Sequence, residues 1–121
     1  MTRTFIQTDE FVGQWKKMNL TDEDLRRLEF EILQNPQIGA IIPGTGKLRK
    51  LRFSFQNQGK SGSSRVCYVD FVIFETVYLI TAYLKNVKDN LTKEECNNIK
   101  KMIQLLEKQL QKGATENERN V

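Results

Sequence analysis

The alternation of apolar and polar residues predicts seven elements along the chain. Apolar residues recur at helical spacing in three segments, and from Leu48 every second residue faces a core, as in a strand. The last two strands are also rich in β-branched and aromatic residues, which favours central positions in a sheet. The predicted elements are, in chain order, a strand at 4–8, helices at 10–18 and 21–35, strands at 48–55, 65–72 and 77–84, and a helix at 92–113.

Capping residues and chain breakers set the predicted ends of the helices. Thr21 and Thr92 each precede a turn that is rich in acidic residues, which is typical of a helix N-terminus. Pro36 ends the second helix, and Gly113 is predicted to end the last one. We therefore expect one domain over residues 1–112, followed by a flexible polar tail at 113–121.

The links between the elements decide the fold class. Residues 39–46 contain Pro43 and are predicted to form a loop, and the polar residues 56–64 are predicted to form a hairpin loop. Residues 73–76 join the last two strands without Gly, Asn or Pro, so the turn is poorly specified. Short links between strands favour antiparallel pairing. The prediction is an α+β fold: a small antiparallel sheet with two N-terminal helices packed on one face, and a C-terminal helix.

Composition narrows the class of protein and the available chemistry. The 121 residues, 39% of them hydrophobic and 28% charged, fit one globular domain. No apolar run is long enough for a membrane span, and the N-terminus lacks the apolar core of a signal peptide, so a cytoplasmic protein is expected. Cys67 and Cys96 are expected to be buried, reduced thiols. Histidine is absent, so we expect no metal site and no cofactor, and any catalysis must use Lys, Arg, Tyr or carboxylates.

Positive charge is concentrated in one stretch, residues 43–69. This stretch holds six cations and no acid, and the rest of the chain has thirteen basic and fifteen acidic residues. The charge is thus local, and a local basic patch indicates an anionic partner such as phosphate. The six cations are Lys47, Arg49, Lys50, Arg52, Lys60 and Arg65.

Strand geometry predicts that several of these cations share one face. Lys50 and Arg52 are two residues apart, so their side chains project from the same face at about 6.5 Å spacing. Arg65 begins the next predicted strand and Lys85 ends the last one, so cations from three strands converge. Such a cluster is costly without an anion. The alternative is a solvated face with a basic edge that prevents aggregation. Tyr83 shares the face of Lys85 and could stack on a base.

Several motifs in a fixed order carry a family resemblance. They are LTDEDLRRLEFEILQNPQIGAIIPGTGKLRKLRF, then GKSGSSRVCY, then YLKN followed by LTKEE. Over about residues 3–110 the chain resembles the RelE/ParE superfamily of bacterial toxins, and most closely its HigB-like branch. The resemblance implies a RelE-like fold and a toxin that cuts messenger RNA, typically in the ribosomal A site. It also implies a co-encoded antitoxin that neutralises this toxin.

The resemblance also implies site residues. The two basic residues of the family on the strand before the hairpin fall on Lys50 and Arg52, its strand-opening arginine falls on Arg65, and its late basic residue falls on or next to Lys85. Some relatives carry a catalytic tyrosine further downstream, and no tyrosine follows Tyr83 here. Ser63 stands where glycine is common, which we expect to affect loop flexibility more than chemistry.

The leading hypothesis is a metal-independent endoribonuclease in which the ribose 2′-hydroxyl attacks the adjacent phosphate. Arg65, supported by Arg52, would hold the phosphate, because a guanidinium grips two oxygens at once. Lys50 is the candidate base and Lys85 the candidate acid, although these two labels are interchangeable. The residues expected to contact RNA outside the catalytic group are Lys47, Arg49, Lys60, Tyr83 and Asn86.

Two other functions stay open at this point. A ParE-like chain would inhibit a protein target such as DNA gyrase without catalysis, and gyrase-directed relatives tend to lack the basic residues on the sheet face. A plain RNA-binding module would bind RNA and leave it uncut.

Overall fold

A five-stranded sheet and three helices form the fold. The computed structural model describes residues 2–57, 60–88 and 90–119. The strand order across the sheet is β1-β5-β4-β3-β2, where β1 runs parallel to β5 and all other neighbours are antiparallel. The elements are β1 (Thr4–Gln7), α1 (Asp9–Lys17), α2 (Asp22–Gln34), β2 (Ala40–Ile41), β3 (Arg49–Asn57), β4 (Lys60–Phe71), β5 (Thr76–Leu84) and α3 (Lys93–Arg119).

The helices cover both faces of the sheet. Successive side chains of a strand point to opposite faces, so Val66 and Tyr68 of β4 meet α1 and α2, whereas Cys67 and Val69 meet α3. We call the second surface the α3 face. The two cores are separate clusters, and the predicted α+β architecture is confirmed. None of the helices in the described ranges is long and apolar enough to cross a membrane.

Capping explains where the helices start. Thr21 and Asp24 form a capping box at α2, with the Asp24 amide 3.2 Å from the Thr21 hydroxyl. Thr92 does the same for α3, because its hydroxyl accepts from the Glu95 amide at 3.1 Å. These predicted N-caps are confirmed, and α2 ends before Pro36 as expected. The predicted stop at Gly113 is wrong, since α3 continues to Arg119. The flexible tail at 113–121 stays a prediction.

The hairpin between β3 and β4 is tighter than predicted. Residues 56–64 were expected to form a loop, but β3 extends to Asn57 and β4 begins at Lys60. The ladder pairs Asn57 with Lys60 and continues without a break to Arg49 and Tyr68. Glycine and serine have a low intrinsic preference for strands, which is why this segment was predicted as a loop. The two strands nevertheless hydrogen-bond to each other along it. The predicted loop at 39–46 likewise contains β2, which is too short to show an alternating pattern.

The link between β4 and β5 uses a left-handed residue instead of a glycine turn. A short 3-10 helix spans Val72–Phe74, and Glu75 then has φ 48°. The Glu75 amide donates to the Val72 carbonyl at 3.1 Å, which closes the turn. A non-glycine residue in this conformation is uncommon. This explains why the sequence carries no ordinary turn signal here.

Tyr68 fixes the loop after α2, and its hydroxyl should contribute to stability. The hydroxyl donates to the Pro36 carbonyl at 2.9 Å and accepts from the Gly39 amide at 3.0 Å, in a buried position. We expect Tyr68→Phe to lower the free energy of unfolding by about 1–3 kcal/mol, because two buried groups lose their partner. Urea denaturation measures this. Tyr78→Phe is the matched control, since in the described residues that hydroxyl makes no hydrogen bond; an equal loss there would contradict the assignment.

Candidate functional site

The register of the sheet brings basic residues from neighbouring strands into one row. Arg52 of β3 lies opposite Arg65 of β4, and Arg65 lies opposite Tyr83 of β5. Lys50 of β3 lies opposite Cys67 of β4, two residues from Arg52 and on the same face of the sheet. All of them are on the α3 face, and adjacent strands are about 4.8 Å apart. We call Lys50, Arg52, Arg65 and Lys85 the cationic site.

Arg65 is the buried centre of the cationic site. Arg65 was expected to open a strand, but this is wrong, because Arg65 lies in the middle of β4, and it is only 7% exposed. Its Nη1 donates to the Ser63 hydroxyl at 3.1 Å and to the Ser64 carbonyl at 3.4 Å. Ser63 therefore lies in a strand and contacts the arginine directly, contrary to the expected role in loop flexibility. The guanidinium is held by its own strand.

The other members of the cationic site lie at its rim. Lys50 is half-buried, and its ammonium donates to Asn90 Oδ1 at 3.1 Å. The side chain of Arg52 is exposed. The Lys85 amide donates to the Ser63 carbonyl at 3.3 Å, which extends the ladder by one residue and brings Lys85 alongside the row. Lys85 and Asn86 are both exposed. The buried cation is thus surrounded by accessible ones.

Two of the predicted RNA-contacting cations lie elsewhere. Arg49 lies opposite Tyr68 on the face covered by α1 and α2, and it donates to the Gly39 carbonyl at 2.7 Å. Lys47 forms an ion pair with Glu107 of α3 and lies 5.7 Å from the ring of Phe71. Phe71 is six residues from Arg65 along β4, about 20 Å at 3.3 Å per residue. Neither cation joins the row, and the side chain of Lys60 is outside the described part.

Tyr83 differs from the exposed ring that the sequence predicted. It is 8% exposed and packs in the α3-face core beside Cys67. Burial raises the pKa of the Tyr83 hydroxyl, and it raises the pKa of the Cys67 thiol to about 12. Both groups are therefore neutral at pH 7, so neither supplies a thiolate or a phenolate. The Lys88 ammonium lies 5.7 Å from the Tyr83 ring centroid.

Sequence reasoning missed three residues around the cationic site. Asn90 holds Lys50, and Lys88 pairs with Glu95 beside Tyr83. These residues lie in the turn before α3 and in its first turn, which have no periodic pattern. The feature of the sequence that could have pointed to this turn is that Lys85 and Lys88 lie on either side of polar residues. The turn reaches the cationic site only because α3 packs on the sheet.

The Lys88–Glu95 pair should make stability depend on pH. The Lys88 ammonium and the Thr92 amide lower the pKa of the Glu95 carboxyl. A lowered pKa stabilises the fold above the ordinary glutamate value of about 4.3, and this contribution is lost as pH falls through the native value. We expect Glu95→Gln to lower the Tm at pH 7, with a difference from wild type that shrinks on acidification. Glu94→Gln, one exposed residue earlier, should show no such trend; a pH-independent difference for Glu95→Gln would contradict the pairing.

A buried arginine beside a row of accessible cations lies on one face of a small, mostly antiparallel sheet, and the architecture is α+β. A family model described as the RelE toxin of the RelE/RelB toxin–antitoxin system matches residues 2–118. The chain therefore belongs to the RelE toxin family, and it is the toxin of a toxin–antitoxin module with an antitoxin as its partner.

A solved structure supports the same fold. The E. coli toxin RelE, as a double arginine-to-alanine mutant in the free state, matches with a TM-score of 0.53 and 18% sequence identity. The match covers 74% of this chain and 90% of that chain. The predicted membership of the RelE/ParE superfamily is confirmed, and the assignment to the HigB-like branch stays a prediction.

Proposed function

We propose that this toxin is an endoribonuclease that cuts messenger RNA in the ribosomal A site, without a metal ion. The observation that carries the proposal is the register that aligns Arg52 with Arg65, with Lys50 on the same face. Cations from adjacent strands repel one another, and a phosphodiester bound between them would remove that repulsion. The arrangement of the site therefore supports an anionic substrate.

The proposed reaction uses the nucleophile that RNA already carries. The ribose 2′-oxygen forms a bond to phosphorus, the bond from phosphorus to the 5′-oxygen breaks, and the proton leaves the 2′-hydroxyl and arrives on the 5′-oxygen. The products are a 2′,3′-cyclic phosphate and a free 5′-hydroxyl. The protein must orient the attack and stabilise the extra negative charge on the phosphate.

Each member of the cationic site has a proposed role. Arg65 faces the developing charge, and its bond to Ser63 keeps the guanidinium oriented before the substrate arrives, so little reorganisation is needed. Arg52 is exposed and adds a second cation. Lys50 accepts the proton of the 2′-hydroxyl, and Lys85 gives a proton to the leaving oxygen. In the free protein the Lys50 ammonium donates a hydrogen bond to Asn90, and RNA would displace this bond.

The absence of histidine predicts dependence on the ribosome. Histidine is the commonest general acid–base group in proteins, so a site built from lysines and arginines is expected to be a weak catalyst of proton transfer by itself. The ribosome can compensate by holding the message in a geometry that is ready for attack. The proposed activity therefore belongs in the cytoplasm, where the antitoxin would block the cationic site.

A purified translation system tests the proposal. We expect cuts in translated message within the A-site codon, with 2′,3′-cyclic phosphate ends, and a rate at least about 100-fold lower on free message. Omitting the initiator tRNA gives the matched control, with the same RNA and no ribosome on the reading frame. Equal rates on both substrates would remove the ribosome from the proposal. Bound but intact RNA would favour a plain RNA-binding module.

A further inference from the structure

The outer side of α3 carries a row of lysines. A helix turns by about 100° per residue, which places these lysines within a sector of about 120°. The sector is turned away from Ile99 and Ile103, which pack on the sheet. All five side chains are exposed. We call this row the lysine stripe, and it consists of Lys93, Lys100, Lys101, Lys108 and Lys112.

The lysine stripe carries charge of one sign without internal compensation. Within the described ranges, none of its ammonium groups forms an ion pair. Of the three acids on the same stretch of α3, two pair with lysines outside the stripe, and Glu94 lies at its edge. Lys108 and Lys112 are four residues apart and repel each other. The exposed sides of α1 and α2 differ, because each carries both signs.

The length of the lysine stripe favours an extended anion. From Lys93 to Lys112 the helix rises by about 28 Å, at about 1.5 Å per residue. Cations spread over that distance match a polymer with regularly spaced negative charges, such as a nucleic-acid backbone. A mononucleotide would reach only a fraction of them. The ligand is therefore expected to run along α3.

The side chains of the lysine stripe favour a phosphate backbone over an acidic protein. Protein interfaces are enriched in aromatic residues and depleted of lysine, and α3 contains no aromatic residue over Lys93–Arg119. Asn97 and Gln104 lie in the same sector and are exposed, and amide side chains commonly contact phosphate and sugar. Without aromatic rings, the bases of a single strand have nothing on which to stack. A double helix turns its bases inward and presents its backbone, so it suits this surface better.

The lysine stripe starts beside the cationic site and leads away from it. The turn before α3 contacts the cationic site through Asn90 and Lys50. Further along the helix, Glu107 pairs with Lys47, which lies near Phe71 at the end of β4. The cationic site belongs to the sheet under α3, whereas the stripe is on the outer side of the helix. A message in the cationic site therefore leaves the lysine stripe accessible.

We propose that the lysine stripe binds the backbone of a double-helical segment of ribosomal RNA while the cationic site holds the message; this rests on the function proposed above. The stripe holds the toxin on the ribosome and leaves the cleavage step to the cationic site. Each lysine that contacts a phosphate releases a counterion, so this attachment weakens as salt rises. The stripe thus determines the affinity for the ribosome and has little effect on the rate at saturation.

Binding to a naked RNA duplex tests the lysine stripe without catalysis. Lys100→Gln combined with Lys108→Gln removes two charges, and glutamine keeps the helix propensity of lysine. We expect the affinity for a short, blunt-ended duplex to fall about tenfold, and the slope of log affinity against log salt to become shallower by about 1.8. Fluorescence anisotropy measures both. Lys16→Gln combined with Arg26→Gln is the matched control, because it removes the same charge from exposed positions on α1 and α2.

Three results would overturn the lysine stripe as a surface for double-helical RNA. The first is an equal loss of affinity in the stripe variant and the control variant, which would make the effect one of net charge. The second is binding of single-stranded RNA as tight as that of the duplex. The third is displacement of the duplex by polyglutamate at the same charge concentration, which would indicate an acidic protein segment as the partner.

Cleavage on translating ribosomes separates this proposal from the nuclease proposal. The stripe variant should raise the ribosome concentration needed for half-maximal cleavage about tenfold, and the control variant should not. If duplex binding falls as expected but the wild-type protein cuts no message, the stripe stands and the nuclease proposal fails. If message is cut and the stripe variant keeps the wild-type concentration dependence, the stripe is overturned as a ribosomal contact and the nuclease proposal stands.

Discussion

Replacing Arg65 with alanine is expected to reduce message cleavage by about 100- to 1,000-fold, which is the effect of removing one fixed donor for developing negative charge. Arg65 has the position for this role: it lies between Arg52 and Tyr83, and Ser63 holds its guanidinium. The measurement is the initial rate of cleavage on translating ribosomes, together with growth after induction. The loss should appear in the rate at saturating ribosome concentration.

The burial of Arg65 makes a structural control necessary. An exposed side chain could be removed without effect on folding, but this one is 7% exposed, so the variant's unfolding curve must be measured as well. Arg65→Lys keeps the charge and loses the planar fork, and should recover only part of the activity. Arg49→Ala is the matched control, because Arg49 lies on the opposite face. Full activity in a folded Arg65→Ala protein, or equal losses at Arg49 and Arg65, would remove the arginine from the mechanism.

The elements of the fold could be predicted because local signals decided them. Thr21 and Thr92 cap helices through contacts within one turn, and the period-two pattern of β3 follows from burial of alternate residues such as Leu51 and Phe53. The predictions of the fold were wrong where an element depends on residues that are distant in the sequence. β2 exists because β3 lies beside it, and β1 joins the opposite edge of the sheet by pairing with β5, which is distant in the sequence.

The cationic site was predictable to the extent that it depends on alternation. Lys50 and Arg52 share a face because alternate residues of a strand point the same way. The register between β3 and β4 then places Arg65 opposite Arg52. Alternation also puts Arg49 on the opposite face, although its position within the basic stretch had suggested an RNA contact. Burial was not predictable, since it depends on how α3 packs. The contact from Asn90 to Lys50 likewise depends on the turn that precedes α3.

Removing Arg3 should have the largest effect on stability, a loss of about 3–5 kcal/mol in the free energy of unfolding, because it leaves a buried charge without its partner. Arg3 Nε lies 2.8 Å from Asp70 Oδ1, and Nη2 lies 3.4 Å from Oδ2. The two side chains are only 7% and 3% exposed. The pair joins the residue before β1 to β4 across β5. Urea denaturation of Arg3→Ala at pH 7 measures the loss.

Two comparisons separate the buried charge from the pair itself. Lys47 and Glu107 form an exposed pair, so Lys47→Ala should cost no more than about 1 kcal/mol. Arg3→Met combined with Asp70→Leu removes both charges, and it should recover most of the stability lost in Arg3→Ala, since buried pairs gain little over apolar packing. If the double variant is as unstable as Arg3→Ala, the pair is needed to hold β1 on the sheet. In that case the loss comes from the missing link between β1 and β4, and desolvation of Asp70 is a minor part of it.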